Sequence, residues 1–219
     1  MIRGVIFDVD GVLLDSMPMW SHISEWYLES LGLVPEKNLS QRMFTMSMAE
    51  GVSYLKQQYT PMRMEEEILG GISKLLETFY RDKLELKPGV KETLQWISKR
   101  QVPMVIATSS DSKAVEAALE RLDIKKYFLD ILTCTQIGAG KDRPDIYIAA
   151  QKRMDSPVKE TIVVEDALHA LRTASAYGYP TAGVYDEASG KDQTEIMAIS
   201  DFYARQLSAE FMEQVFQSV

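Results

Sequence analysis

Residues 2–16 read IRGVIFDVDGVLLDS, a mostly apolar run that continues into two aspartates two positions apart. The run Ile2–Val9 is rich in β-branched residues and is apolar on both faces, which is typical of a strand buried on both sides of a parallel sheet. On such a strand Asp8 and Asp10 would share one face, and Gly11 would let the chain turn. Because uncompensated carboxylates seldom follow so apolar a strand, the stretch predicts a functional site at its end.

Further short apolar runs alternate with helical patterns along the rest of the chain. The runs lie at Val102–Thr108, Ile131–Thr135, Thr161–Val164 and Thr181–Tyr185. The helical patterns lie at Pro88–Lys99, Lys113–Leu122, Pro144–Met154 and Ala167–Tyr177. Strands that alternate with helices of this length indicate βαβ units. We therefore predict an α/β fold built on a doubly wound parallel sheet.

One long segment interrupts this alternation, because it shows helical spacing and no strand pattern. The sequence therefore predicts two domains, a core from residues 1–16 and 84–219 and an inserted helical domain from residues 17–83. Glycine disfavours the interior of a helix, so the pair Gly70-Gly71 predicts a break in the last helix of the insertion.

Composition narrows the class of protein and its partners. The chain has 219 residues and a formal net charge of −8, which argues against nucleic acid and anionic membranes as partners. It has no apolar stretch long enough for a signal peptide or a membrane span. The single cysteine, Cys134, favours a reducing compartment. We expect a soluble, cytoplasmic protein that is a monomer.

Hydroxyl side chains end the second predicted strand, where Thr108, Ser109 and Ser110 follow one another. Thr108 and the backbone N–H groups after it are suited to hold a phosphoryl oxygen, as the N-termini of helices do. The alternative is that Ser110 or Asp111 caps the next helix.

A lysine and an acidic pair follow two later predicted strands. Lys141 lies in a glycine-containing loop, where it is either a point cation for a phosphate or a solvated surface residue. Glu165 and Asp166 end the fourth strand, and Asp166 is either a metal ligand or the cap of the next helix. With the first acidic pair they favour a hard divalent cation such as Mg²⁺, with Asp166 as the closer ligand and Glu165 as a direct or water-mediated second ligand.

Taken together, these four motifs resemble those of the haloacid dehalogenase superfamily of phosphohydrolases, in the same order and over nearly the whole chain. They are most similar to the branch whose helical cap follows the first motif, which includes β-phosphoglucomutases and phosphoglycolate phosphatases. The resemblance implies a Rossmann-like core with an inserted α-helical cap. It also implies a magnesium-dependent phosphatase that acts on a small phosphorylated metabolite, such as a sugar phosphate.

The resemblance assigns a role to each matching residue. Asp8 would be the nucleophile that forms an aspartyl-phosphate, and Asp10 would be the general acid and then the general base. Thr108 and Lys141 would hold the transferring oxygens, with help from the backbone of Ser109. These roles are consistent with the residue types, because the positive charge of a lysine offsets the repulsion between a carboxylate and a phosphate.

The resemblance also implies the set of metal ligands. Mg²⁺ would be bound by the carboxylate of Asp8, the carbonyl of Asp10 and the carboxylate of Asp166, with Glu165 nearby. The chain departs from the family at Asp142, where a proline is common, and this adds a charge that could pair with the preceding lysine.

Two alternative functions remain open. A β-phosphoglucomutase-like mutase would need a histidine beyond the first motif and a cap arginine, but the chain has Trp20 at the first position, with His22 two residues on. The cap loop Met43–Met48, which we expect to influence substrate choice, has no arginine, although Arg42 is adjacent. The second alternative, a non-catalytic protein that binds a phosphorylated ligand, has no need of Asp10. Dehalogenases and phosphonate-cleaving relatives lack this second aspartate.

Overall fold

The structure is a computed structural model that describes residues 1–43 and 46–218, without the side chain of Gln41. Residues 44–45 of the expected specificity loop, Met43–Met48, lie outside the described residues. In the part of the chain that is described, the helices are too short or too polar to cross a membrane.

The chain forms two compact units. The core unit comprises Met1–Met17 and Leu84–Val219, and the helical unit comprises Pro18–Lys83. The α-helices of the described residues are, in chain order, α1 Met17–Ser30, α2 Leu39–Met43, α3 Met48–Gln58, α4 Glu65–Asp82, α5 Val90–Lys99, α6 Ser112–Arg121, α7 Cys134–Ile137, α8 Asp145–Met154, α9 Leu168–Tyr177, α10 Gln193–Ile199 and α11 Ala209–Ser218.

A parallel sheet forms the centre of the core unit, which confirms the predicted fold class. Its strands are β1 Gly4–Phe7, β2 Met104–Thr108, β3 Asp130–Thr133, β4 Thr161–Glu165, β5 Thr181–Val184 and β6 Phe202–Ala204, in the order β3-β2-β1-β4-β5-β6. The first five overlap the predicted apolar runs. The sixth strand was missed because it has three half-buried residues and therefore no apolar run to reveal it.

The position of β1 brings three strand ends together. It pairs in parallel with β2 on one side and with β4 on the other. Phe7 is in register with Ile106 and with Val164, so the residues that follow them emerge at the same edge of the sheet. The strand order reverses direction at β1, and ligands of open α/β sheets bind at such a switch point.

The core behind this edge is apolar. Ile6, Val105 and Val163 from the three central strands pack with Ile146 and Tyr147 of α8, and each is fully buried. Because both faces of these strands are covered, polar side chains reach solvent only beyond the strand ends.

The helical unit has a core of its own, and its last helix differs from the prediction. The core residues are Ile23, Tyr27, Leu28, Leu39, Val52, Leu55, Ile68 and Ile72. The predicted break at Gly70-Gly71 is wrong, because α4 runs without interruption through both glycines. A Cβ atom at Gly71 would lie 2.5 Å from Cε2 of Tyr27, so glycine here allows a buried ring to pack against the helix backbone.

Substitution of the two glycines by alanine should therefore have opposite effects. Gly70 has open space around its Cα, so Gly70→Ala should stabilise the protein by about 0.5–1 kcal/mol through helix propensity. Gly71→Ala should destabilise it by about 1–2 kcal/mol, because the clash with Tyr27 outweighs the same gain. Thermal denaturation of both variants measures the difference. An equal rise in Tm for the two would show that the Tyr27 ring moves aside at little cost.

Candidate active site

The turn after β1 carries the first acidic motif. The backbone N–H of Asp8 still donates to the carbonyl of Val164 at 3.0 Å, so β1 and β4 remain paired up to this residue. Gly11 then adopts a left-handed conformation with φ of +78°. A Cβ atom at Gly11 would lie 2.6 Å from Oδ2 of Asp166, so only glycine allows the turn to pass so close to this carboxylate.

Three carboxylates meet where β1 and β4 end. One oxygen atom each of Asp8, Glu165 and Asp166 lies within 4.8 Å of the others. All three residues are buried, with 8%, 1% and 4% of their surface exposed. Adjacent side chains of a strand point in opposite directions, but β4 ends at Glu165, and both members of the acidic pair therefore reach Asp8.

Lys141 provides positive charge to this acidic cluster of Asp8, Glu165 and Asp166. Its Nζ lies 2.6 Å from Oδ1 of Asp8 and 2.6 Å from Oε1 of Glu165, and the residue is 5% exposed. It is therefore not a solvated loop lysine, and its ammonium lies against these two carboxylates instead of Asp142. Burial alone would lower the pKa of Lys141, but the charges of Asp8 and Glu165 outweigh it and raise the pKa. The side chain is therefore a buried ammonium ion.

Asp10 is held by two hydroxyl groups outside the acidic cluster. Ser16 Oγ donates to its Oδ1 at 2.6 Å, and Ser110 Oγ donates to its Oδ2 at 2.6 Å. Of the two residues considered as the cap of α6, the structure confirms Asp111, which accepts from the backbone N–H groups of residues 113 and 114, and not Ser110. Sequence reasoning missed Ser16, since nothing in a pattern of hydroxyl residues shows which carboxylate they will meet.

The two other predicted phosphate-binding residues lie at the end of the neighbouring strand. Thr108 is the last residue of β2 and is fully buried, and its Oγ1 accepts from the backbone N–H of Ser110 at 3.0 Å. Ser109 is exposed, and its Oγ lies 3.4 Å from Sγ of Cys134. Both residues share the sheet edge of Asp8, since β2 pairs with β1. Their role in binding phosphate stays a prediction.

Two further residues that sequence reasoning missed contact the acidic cluster. Ser189 Oγ, from the segment after β5, donates to Oδ2 of Asp166 at 3.0 Å. Tyr147 Oη, from α8, lies 3.4 Å from Oε1 of Glu165. The alternative that Asp166 caps α9 is wrong, because Ala167 is the N-terminal cap and makes no side-chain hydrogen bond.

The electrostatics of the cluster fit a bound cation. Burial, and then the charges of Glu165 and Asp186, raise the pKa of Asp166 to about 7. Burial also raises the pKa of Asp8, although Lys141 opposes this rise. Three buried carboxylates thus share one ammonium, and a second positive charge would relieve their repulsion. Oxygen donors of this kind suit a hard ion such as Mg²⁺.

The raised pKa of Asp166 predicts how the stability of the metal-free protein changes with pH. Between its ordinary value of 3.8 and about 7, the folded state binds more protons than the unfolded state, so stability falls as pH rises through this window. At pH 8 the variant Asp166→Asn should therefore have a higher Tm than the unchanged protein, by about 5 °C or more. At pH 4 the two should be close. Thermal denaturation in chelator measures both, and a constant difference across this range would contradict the assignment.

Comparisons with known proteins show which family the sequence matches. The sequence model of one protein family, described as haloacid dehalogenase-like hydrolase, matches residues 5–184. The chain is 27% identical over 177 residues to a phosphorylated carbohydrates phosphatase of Thermotoga maritima. This alignment covers 81% of this chain and 82% of the relative. It is also 27% identical over 222 residues to the phosphoglycolate phosphatase of Escherichia coli (strain K12). That alignment covers 90% of this chain and 88% of the relative.

A solved structure has the same fold as this chain. The crystal structure of a putative β-phosphoglucomutase from Thermotoga maritima superposes with a TM-score of 0.83. The alignment covers 100% of both chains at 25% sequence identity.

Proposed function

The chain belongs to the haloacid dehalogenase-like hydrolases, and from this membership we propose that it is a Mg²⁺-dependent phosphatase of a small phosphomonoester. The observation that carries the proposal is the buried ammonium of Lys141, which touches both Asp8 and Glu165 where β1 and β4 end. A carboxylate beside a lysine and further acids combines a nucleophile with the charge needed to bring in a phosphate.

The proposed reaction has two steps. In the first, a carboxylate oxygen of Asp8 bonds to phosphorus, the bond from phosphorus to the substrate oxygen breaks, and Asp10 gives that oxygen a proton. In the second, Asp10 takes a proton from a water molecule, whose oxygen displaces Asp8 from phosphorus and releases inorganic phosphate. Ser16 and Ser110 orient the carboxyl group of Asp10 through their hydrogen bonds.

The positive charges of the site have separate tasks in this proposal. Lys141 neutralises Asp8 before the reaction and, with Thr108 and the backbone of Ser109, binds the transferring oxygens. Asp8, the carbonyl of Asp10 and Asp166 would hold Mg²⁺, with Glu165 as a direct or water-mediated ligand. When bound, the ion would supply positive charge beside the attacking carboxylate and the phosphoryl oxygens.

The relatives suggest the class of substrate. Two of them are phosphatases of phosphorylated carbohydrates and of phosphoglycolate, so we propose a sugar phosphate or a similarly small phosphorylated acid. The assignment of residues 17–83 as a cap and the monomeric state of the chain stay predictions.

Phosphate release from a panel of small phosphomonoesters tests the proposal. We expect at least one member, among phosphoglycolate and several pentose and hexose phosphates, to be hydrolysed in the presence of Mg²⁺. A chelator should reduce the rate by at least about 100-fold, and excess Mg²⁺ should restore it. The variant Asp10→Asn, purified in parallel, controls for contaminating phosphatases. No release from any member, or release that a chelator leaves unchanged, would contradict the proposal.

A phosphosugar mutase is the second candidate, favoured by the structural similarity to the putative β-phosphoglucomutase. A bisphosphate needs cationic partners at both ends. In the helical unit Arg42 Nη1 lies 2.9 Å from Oε1 of Glu36 and donates to Oη of Tyr54 at 2.7 Å, so its charge is already engaged. We therefore favour the phosphatase. A hexose phosphate primed with a hexose bisphosphate separates the two, since a mutase forms the isomer without a matching release of phosphate.

A further inference from the structure

Lys87 connects two backbone segments that both approach Oδ2 of Asp166. Its Nζ donates to the carbonyl of Gly11 at 2.6 Å, to the carbonyl of Tyr185 at 2.9 Å and to Oδ2 of Asp186 at 2.8 Å. These partners are 76 to 99 residues away along the chain, and the lysine side chain is 15% exposed. An ammonium has three protons, and each one has an acceptor here.

We propose that Lys87 is a positioning residue for the cation site. It fixes the carboxylate of Asp166 through its hydrogen bonds to Gly11 and to Asp186. The inference rests on the proposed function, because it assigns the support of the same metal site. Residues that orient metal ligands are as much a part of such a site as the ligands themselves.

The first connection runs through the turn after β1. The backbone of Gly11 lies so close to Asp166 that a Cβ atom would be 2.6 Å from its Oδ2. The N–H of Gly11 donates to the carbonyl of Leu14 at 3.1 Å, which holds the peptide group that carries the carbonyl of Asp10. Lys87 holds the next peptide group through the carbonyl of Gly11. Hydrogen bonds therefore hold both peptide groups of Gly11, the residue whose backbone lies beside Asp166.

The second connection runs through the turn after β5. Oδ1 of Asp186 accepts from the N–H of Ala188 at 2.9 Å, and its carbonyl accepts from the N–H of Ser189 at 3.2 Å. These bonds hold the turn whose hydroxyl, Ser189 Oγ, donates to Oδ2 of Asp166 at 3.0 Å. Lys87 pairs with the other carboxylate oxygen of Asp186, so the orientation of Asp166 depends on the ammonium through two intermediate residues.

The charge of Lys87 has a second effect on the site. The side chain of Asp186 is 7% exposed, and its negative charge is one of the causes that raise the pKa of Asp166. Without the ammonium, Asp186 would be a buried carboxylate with no cation in contact, which favours rearrangement of the turn.

The backbone of Lys87 is anchored independently of its side chain. Its N–H donates to the carbonyl of Leu13 at 2.9 Å, and two residues earlier the carbonyl of Glu85 accepts from the N–H of Asp15 at 3.0 Å. Replacement of the ammonium therefore leaves the path of the chain intact. The variant Lys87→Met keeps the aliphatic stem and removes only the three hydrogen bonds and the charge.

Direct titration of the protein with Mg²⁺ by calorimetry, without substrate, tests the inference. We expect Lys87→Met to bind Mg²⁺ about 10-fold to 100-fold more weakly than the unchanged protein. The matched control is Lys125→Met, which loses ion pairs to Glu116 and Glu120 at the surface and should bind Mg²⁺ with unchanged affinity. In turnover, Lys87→Met should raise the Mg²⁺ concentration for half-maximal rate by a similar factor, with a smaller change in kcat at saturating Mg²⁺.

The outcomes separate this inference from the proposed function. A lysine with a structural role alone would lower the Tm and leave the Mg²⁺ affinity within twofold of the unchanged protein, which would overturn the inference. If Lys87→Met does not fold, Asp186→Asn and Ser189→Ala interrupt the second connection at later points and should weaken Mg²⁺ binding in the same direction. Unchanged affinity in both would also overturn it. An unchanged protein that binds no Mg²⁺ and hydrolyses no phosphomonoester would instead overturn the proposed function.

Discussion

Asp8→Asn is expected to abolish phosphate release, with a loss of at least about 10⁴-fold in kcat, while the protein stays folded. An amide is a poor nucleophile, and an aspartyl-phosphate at this position then has no route of formation. The fold should persist because Lys141 keeps its contact with Glu165 at 2.6 Å. Removal of one of three buried carboxylates also reduces their repulsion, so the metal-free Tm should not fall.

The control for this variant lies in the same segment. Asp15 is exposed, and Asp15→Asn makes the same chemical change seven residues away. It should retain nearly full activity. Mass spectrometry of the acid-quenched enzyme should detect a phosphoryl group on the peptide that contains Asp8, and the variant Asp8→Asn should lack it. Hydrolysis by Asp8→Asn at a rate near that of Asp15→Asn would refute the covalent mechanism.

Lys141→Met is expected to impair both catalysis and stability. In the proposed mechanism the transferring oxygens would lose the cation of Lys141, for which we expect a fall of about 10³-fold in kcat. The carboxylates of Asp8 and Glu165 lose the ammonium that touches both, and removal of one partner of a buried ion pair typically costs about 3–5 kcal/mol. Because this loss leaves the acidic cluster without its cation, added Mg²⁺ should raise the Tm of Lys141→Met.

Kinetics at saturating Mg²⁺ and urea denaturation measure these two effects. The matched control is Lys126→Met, which loses an exposed ion pair with Asp123 and should change neither quantity appreciably. Lys141→Arg retains the charge in a larger group, so it should be less destabilised than Lys141→Met and still slow. A Lys141→Met enzyme with unchanged kcat would show that the lysine serves the fold alone.

Local sequence patterns were sufficient to predict the framework of the site. The run Ile2–Val9 is apolar on both faces, and a strand with this pattern is stable only inside a covered parallel sheet. Polar residues after such strands lie at the carboxyl edge, and this general property predicted that Asp8 and the acidic pair of Glu165 and Asp166 would lie near one another. The place of Lys141 in the same site was implied by the family resemblance. The contacts of these residues in the structure follow that expectation, and their catalytic roles stay predictions.

Sequence patterns failed to predict features that depend on contacts between residues far apart in the chain. The apparent break at Gly71 is a close contact with Tyr27, and β6 pairs with β5. Neither contact leaves a signal in a local pattern, because periodicity reports only which face of an element is apolar.

The hydrogen bonds that hold the site residues in place were likewise determined by the tertiary structure. The sequence alone predicted the α/β class, which the structure confirms, because the alternation of strand and helix patterns can be followed along the chain. It also predicted an inserted segment and a set of acids, hydroxyls and a lysine after the strands. Only the folded chain shows that Ser16 and Ser110 hold Asp10, and that Lys87 reaches Gly11 and Asp186. Hydrogen bonds are short and directional, so these pairings depend on the register of strands and turns that the sequence brings together from distant positions.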